Sequence, residues 1–254
     1  MAKITKHSEE ANPLAFLKKF TEARVAVGTT GASIPAKALL EFNLAHAHAR
    51  DAVYSTLNID RLNADMENLG LQTVTLNSCV ADRVQYLQRP DLGRKLHPDS
   101  LKALGGQVTG ADVAIVIADG LSALAIDDNA AGLLKLLIPK LHDSNLTLST
   151  ISLVQQGRVA IGDDIGFALK AKLVIVLIGE RPGLSAVNSM GIYLTYQPKP
   201  GLTDDSRNCI SNIRPGGMSY EQAADKLFYL ITASLRRKLS GVNLKDDTSD
   251  RLLD

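Results

Sequence analysis

The side chains best placed for chemistry follow the run Leu173 to Ile178 (LVIVLI), six apolar residues without a polar break. Such a run reads as a strand buried on both faces of a parallel sheet. Gly179, Glu180, Arg181, Pro182 and Gly183 follow at once and read as a turn. A carboxylate and a guanidinium therefore stand just past a strand's carboxyl end, where open parallel α/β sheets bind their ligands. The competing reading is a turn that carries a surface ion pair. A second acidic side chain, Asp119, follows the predicted strand Ala111 to Ala118 (ADVAIVIA). Val159 follows a third run, Leu146 to Val154, and Cys209 sits within Arg207 to Asn212 (RNCISN). The chemistry on offer is hydrogen bonding and packing around a ligand, from few charges and many amide and hydroxyl groups.

Covalent and hydrolytic machinery is not visible. The sequence contains no GxGxxG after its first strand, no P-loop, no GxSxG elbow and no HExxH. His46 and His48 lie two apart on a predicted helix and point to different faces, unlike the i,i+4 pair of a metal-binding helix. They read as packed core or interface histidines. Neither Cys79 nor Cys209 has a histidine beside it, and no CxxC occurs. A disulfide framework and a structural zinc site are not expected, and a reducing cytoplasm fits. No catalytic residue and no metal ligand is assigned to the chain. A ligand-holding domain, or half of a shared site, explains this inventory better than a complete active site.

The elements that must position these residues alternate. Residues 1–12 are polar and read as loose. Helical periodicity covers Leu14 to Ala23, and a second, alanine-rich helix runs from Pro35 to Val53; its small residues predict packing on more than one side. Asn58 to Gly70 is a polar helix-turn segment. From Gln72 to Leu76 the pattern alternates and is β-branched, so it reads as a strand. Further strands are predicted at 111–118, 146–154, 173–178 and 191–196. The piece Tyr86 to Arg94 reads as helix and then a proline-broken loop dense in arginine. Helices are also predicted at 130–142, with Ser122 available as a cap, and at 161–170, with Asp163 and Asp164 favoured by the dipole at its amino end. Residues 197–217 read as one long loop. It is ordered by Ile210 and Ile213 packing inward and by bonded asparagines and arginines. Ser219 to Gln222 is a capping box that opens the last helix.

This pattern predicts an α/β fold: a mostly parallel sheet with flanking helices, preceded by a small all-helical N-terminal domain. The expected division is residues 1–70 and 71–254. The strand ends near Asp119, Val159 and Glu180 line one sheet edge, and the Cys209 loop is long enough to fold over it. Composition agrees with a globular chain: 254 residues, 45% hydrophobic and 22% charged, with net charge +1. So even a charge disfavours nucleic acid, and no apolar run reaches the length of a membrane span.

Several long motifs resemble one family, the small (light-chain) subunit of ethanolamine ammonia-lyase. They are LAHAHARDAV (44–53), YLQRPDLGR (86–94), GERPGLS (179–185), LTDDSRNCISNIRPGG (202–217) and SGVNLKD (240–246). The resemblance implies a Rossmann-like α/β domain and an adenosylcobalamin-dependent radical enzyme that converts ethanolamine to acetaldehyde and ammonia. It implies a substrate-binding barrel, the large subunit, as partner in a hetero-oligomer, with cobalamin between the two. Carried over by motif, this chain's cofactor contacts fall on Val159, Glu180 and Cys209. For Cys209 the expectation is both a contact and a buried small hydrophobe. The Asp-x-His-x-x-Gly motif that replaces the cofactor's own base is not in the sequence, which fits base-on cobalamin. Some members carry a longer leader for a bacterial microcompartment. Here about a dozen residues precede the first predicted helix, too few for a stable one alone, so free cytoplasmic enzyme is expected. The alternatives left open are a self-sufficient nucleotide-binding α/β enzyme and a non-catalytic scaffold.

Overall fold

A computed structural model describes residues 14–245 of the chain. The expectations for the polar first residues, the leader and the end of the 240–246 motif lie outside them. Helix α1 spans Ala36–Tyr54 and α2 spans Ile59–Asn68. Then come strand β1 (Thr73–Asn77), helices α3 (Arg83–Gln88), α4 (Pro90–Gly93) and α5 (Pro98–Leu104), and strand β2 (Val113–Ala118). Helix α6 (Ala123–Asp143), β3 (Ile151–Gln155), α7 (Ile161–Ala168), β4 (Leu173–Gly179) and β5 (Met190–Tyr196) follow. Strand β6 (Arg207–Ile213) and helix α8 (Tyr220–Arg237) complete the order.

The six strands form one sheet in the order β1-β3-β2-β4-β5-β6. The first four are parallel, whereas β5 runs antiparallel to both of its neighbours, β4 and β6. The fold is therefore α/β with a mostly parallel sheet, as its alternation predicts. Every residue of β2 and of β4 is buried, which is why both read as unbroken apolar runs. One face of the sheet packs on α2, α6 and α8 through residues such as Leu62, Leu133, Leu137 and Leu227. The other packs on α5 and α7 through Leu104, Ile161 and Ile165. The capping box holds: the Ser219 hydroxyl accepts from the Gln222 N–H, and the Gln222 side chain accepts from the Ser219 N–H. Ser122 caps α6 by accepting from Ala125, so that helix starts seven residues before the predicted 130.

Two expectations are corrected. The presumed loop 197–217 contains β6, an edge strand paired with β5. Its Arg207, Asn208 and Asn212 have weak strand preference and hid it, while Ile210 and Ile213 face the core as read. Helix α1 is not packed on several sides: within this chain only its Ala52 is buried. Leu62 and Met66 of α2, by contrast, are fully covered and belong to the main core.

Candidate functional site

Strands β2 and β3 are neighbours, yet α6 leaves β2 for one face and α7 leaves β3 for the other. Such a switch point opens a crevice at the strand tips, the usual ligand seat in open α/β sheets. Here the protein fills it with its own groups. Asp119, 3% exposed, accepts from the N–H of Gln156 at 2.9 Å and of Gly157 at 3.0 Å. Arg83 lies 3.5 Å from the same carboxylate and also donates to Gln156 Oε1 and the Val53 carbonyl. Tyr86, fully buried, donates its hydroxyl to the Gly157 carbonyl at 3.0 Å. The guanidiniums of Arg83 and Arg158 both lie against its ring, 4.4 and 4.0 Å from the centroid, two cation–π contacts on one aromatic. Burial pushes Asp119 up to about 6, against the pull of the Gln156 N–H, Arg83 and the Gly157 N–H. Burial also raises the Tyr86 hydroxyl, with Arg158 opposing.

This cluster fixes the turn that carries Val159. Arg158 donates its N–H to the Gly93 carbonyl at 2.8 Å and a guanidinium N–H to the Tyr86 carbonyl at 3.1 Å. Val159 is half-buried and packs against the α7 side of the sheet. Two donors of the cluster, Arg83 Nη2 and Arg158 Nε, are buried without a hydrogen-bond partner.

Glu180 lies at the tip of β4, half-exposed. Its partners are not Arg181, so the surface-ion-pair reading fails. Its Oε2 accepts from the Ser189 hydroxyl at 2.5 Å and from the Asn212 N–H at 3.3 Å. The side chain folds back over Gly191, where any Cβ would stand 3.0 Å from Oε1. A glycine there is what lets the carboxylate lie against the sheet.

Cys209 is not the buried small hydrophobe expected of it; it is exposed. It occupies β6 opposite Tyr193 of β5, which is opposite Val176 of β4. Strand alternation puts Cys209, Tyr193 and Val176 on the α7 face. Helix α7 meets the edge strand at Arg207 and leaves Cys209 uncovered, so the thiol stays open. The Tyr193 hydroxyl and the Cys209 thiol each affect the other's titration. Desolvation by this face raises both groups, and the Glu180 charge adds to each.

Val159 and Glu180 thus sit on the α7 face at the sheet's upper edge, whereas Cys209 lies on the same face at mid-strand, level with Val176, and not over that edge as expected. Tyr193 lies between Glu180 and Cys209, and sequence reading missed it. It fell in the strand read at 191–196, but nothing in the sequence tells that β5 runs antiparallel beside β6. The roles of Asp119, Arg83 and Tyr86 were equally hidden, although Asp119 was placed at the right edge. A recess of about 530 Å³ lies elsewhere, at the amino ends of β2 and β4 around Asp112, Lys172 and Lys238. No group of acidic, histidine or cysteine residues among those described is arranged to hold a bare metal ion.

Fold and site together define an α/β domain that offers an open wall at its sheet edge and no enclosed catalytic cleft there. Its sequence matches the model of the ethanolamine ammonia-lyase light chain (EutC) over residues 11–245, and the chain belongs to that family. It is 49% identical over 247 residues to the ethanolamine ammonia-lyase small subunit of Pseudomonas fluorescens SBW25, covering 96% of this chain and 89% of the relative. The small subunit of Azotobacter vinelandii is 49% identical over 250 residues, covering 96% and 92%. That of Xanthomonas campestris strain ATCC 33913 is 49% identical over 243 residues, covering 94% and 89%.

Proposed function

We propose that this chain works as the small subunit of an adenosylcobalamin-dependent ethanolamine ammonia-lyase. Its α7-side edge forms one wall of the cofactor site, and the large, barrel-shaped subunit forms the other. The observation that carries the reading is the open face itself. Glu180 is fixed by two donors, and Cys209 is left uncovered beside Tyr193.

The residues present fit the group. Cobalamin carries a rim of amides and a phosphate in its nucleotide tail. Glu180 has Oε1 free of the Ser189 and Asn212 bonds and can accept an amide N–H there. Val159 and Cys209 offer packing and backbone groups. When bound, the cofactor supplies the radical that starts rearrangement of ethanolamine to acetaldehyde and ammonia. This chain's residues do no acid–base or radical step. They orient the base-on cofactor and keep water from its exposed side.

In this reading the chain divides near residue 70 into a helical N-terminal part, 1–70, and the cobalamin-binding part, 71–254. The enzyme is a cytoplasmic hetero-oligomer, inactive without its large subunit. The self-sufficient nucleotide enzyme is disfavoured because Asp119 and Tyr86 already fill the switch-point crevice where a nucleotide would sit. The test is Glu180→Ala in the assembled enzyme, read by spectral titration with adenosylcobalamin. Loss of a hydrogen bond to a charged acceptor costs about 1.5–3 kcal/mol, so affinity should fall roughly ten- to hundred-fold. Unchanged affinity, or ethanolamine turnover by this chain alone, would overturn the proposal.

A further inference from the structure

The sequence places Asp163 and Asp164 at the amino end of a helix, where the dipole accounts for them. The structure gives Asp163 a different task. Its two oxygens accept from Arg207 Nη1 and Nη2, each at 2.7 Å. The two side chains are 3% and 2% exposed, so the bridge is fully buried. The guanidinium has no slack: Nη1 also donates to Thr195 Oγ1 at 3.2 Å, Nη2 to the Leu202 carbonyl at 3.2 Å, and Nε to Asp204 at 3.4 Å. A fork that meets a carboxylate with two parallel bonds fixes orientation as well as distance.

What it fixes is specific. Asp163 is in the first turn of α7, four residues after Val159, and the Gly162 N–H donates to the Val159 carbonyl. Arg207 opens β6 two residues before Cys209, so both side chains leave the same face of the strand. No other hydrogen bond or ion pair among the described residues joins α7 directly to β6. Helix α7 rests on β4, and β6 is an edge strand paired in the sheet with β5 alone, with Asn208 tied on its other side to Gly241 and Leu244.

We infer that the Asp163–Arg207 pair is a positioning clamp that sets the spacing between the Val159 turn and the Cys209 strand, two walls of the proposed cofactor site. The inference rests on that functional reading for its purpose. The clamp itself concerns only this chain's geometry. A buried pair is not needed for stability: apolar residues of similar volume replace such pairs at little or no cost. Holding two segments in register is what remains for it to do.

The test removes the clamp while keeping the core filled, with Asp163→Leu and Arg207→Met combined. Full-length chain with Cys79→Ser carries spin labels at the native Cys209 and at Phe167→Cys, an exposed position of α7. Pulsed electron paramagnetic resonance then reads the α7–β6 distance before and after assembly with the large subunit. The clamped chain should give one narrow distribution. The double variant should broaden or shift it with a retained melting midpoint, and unlabelled enzyme should bind adenosylcobalamin about tenfold more weakly, as when supporting contacts are lost. An unchanged distribution in a folded double variant overturns the clamp. If the double variant does not fold, Arg207→Lys decides instead, since it keeps the charge and loses the fork. There too an unchanged distribution overturns the inference and a broadened one supports it. An enzyme that takes no cobalamin at all refutes the functional reading, while the distance measurement still decides the clamp.

Discussion

Asp119 holds its place against an electrostatic cost. Burial raises its pKa to about 6, although two backbone N–H groups and Arg83 favour the charged form. An unfolded aspartate titrates near 3.9, so between about pH 4 and 6 the native state binds a proton that the unfolded state has lost. The slope of stability with pH is then negative. This residue's contribution falls by about 3 kcal/mol over that window and is flat above it. Asp119→Asn removes the titration. Urea unfolding of both proteins from pH 4 to 7 should show wild type losing stability relative to the variant as pH rises. If Arg83 dominated instead, the carboxylate would be held below 3.9 and wild type would gain relative stability with rising pH. The direction of the difference therefore tells which force wins.

At the level of elements, α7 is the part on which the site turns, and a glycine lets it sit there. A Cβ on Gly162 would stand 2.4 Å from Cγ2 of Val176, a buried strand residue that cannot swing away. Gly162→Ala gains about 0.5–1 kcal/mol of helix preference, but overpacking a core contact costs roughly 1–3 kcal/mol. The clash should win, lowering stability by about 1–2 kcal/mol and lifting α7, with its Val159 and Asp163, off β4. A melting midpoint at or above wild type would mean that the helix has room to spare. The same element shows what a sequence can tell. The burial of β2 and β4, the capping box of α8 and the Ser122 cap were legible, because they depend on hydrophobic runs and local hydroxyl chemistry. Strand β6 was not, because its pairing with β5 is a long-range fact that overrides the weak strand preference of Arg207, Asn208 and Asn212. Glu180 and Val159 could be set at strand ends by counting. That Cys209 stays open depends on which strand lies at the edge, and no local pattern records it.

On the scale of the whole molecule the apolar surface is lopsided. Ten of the sixteen large hydrophobic residues exposed among those described lie between Leu14 and Tyr54, including Phe20 at 80% and Leu40 at 68%. From residue 14 to 51 no residue is buried. A patch of that extent marks a surface that another protein covers, and the proposed large subunit is the partner at hand. Helix α1 should then have little local stability in the free chain, since packing of a buried face, and not propensity, stabilises most protein helices. Its amides should exchange with deuterium quickly in the isolated chain, while those of β2 and β4, buried throughout, exchange slowly. Assembly with the large subunit should slow exchange along Ala36–Tyr54 at least about tenfold, a factor that corresponds to about 1.4 kcal/mol of added local stability. Leu40→Glu and Leu44→Glu, which place charges on this exposed helix without touching the core, should weaken assembly and leave the isolated chain's melting midpoint unchanged. Equal exchange in free and assembled chains would mean that the partner sits elsewhere, and the apolar arm would then need a different cover.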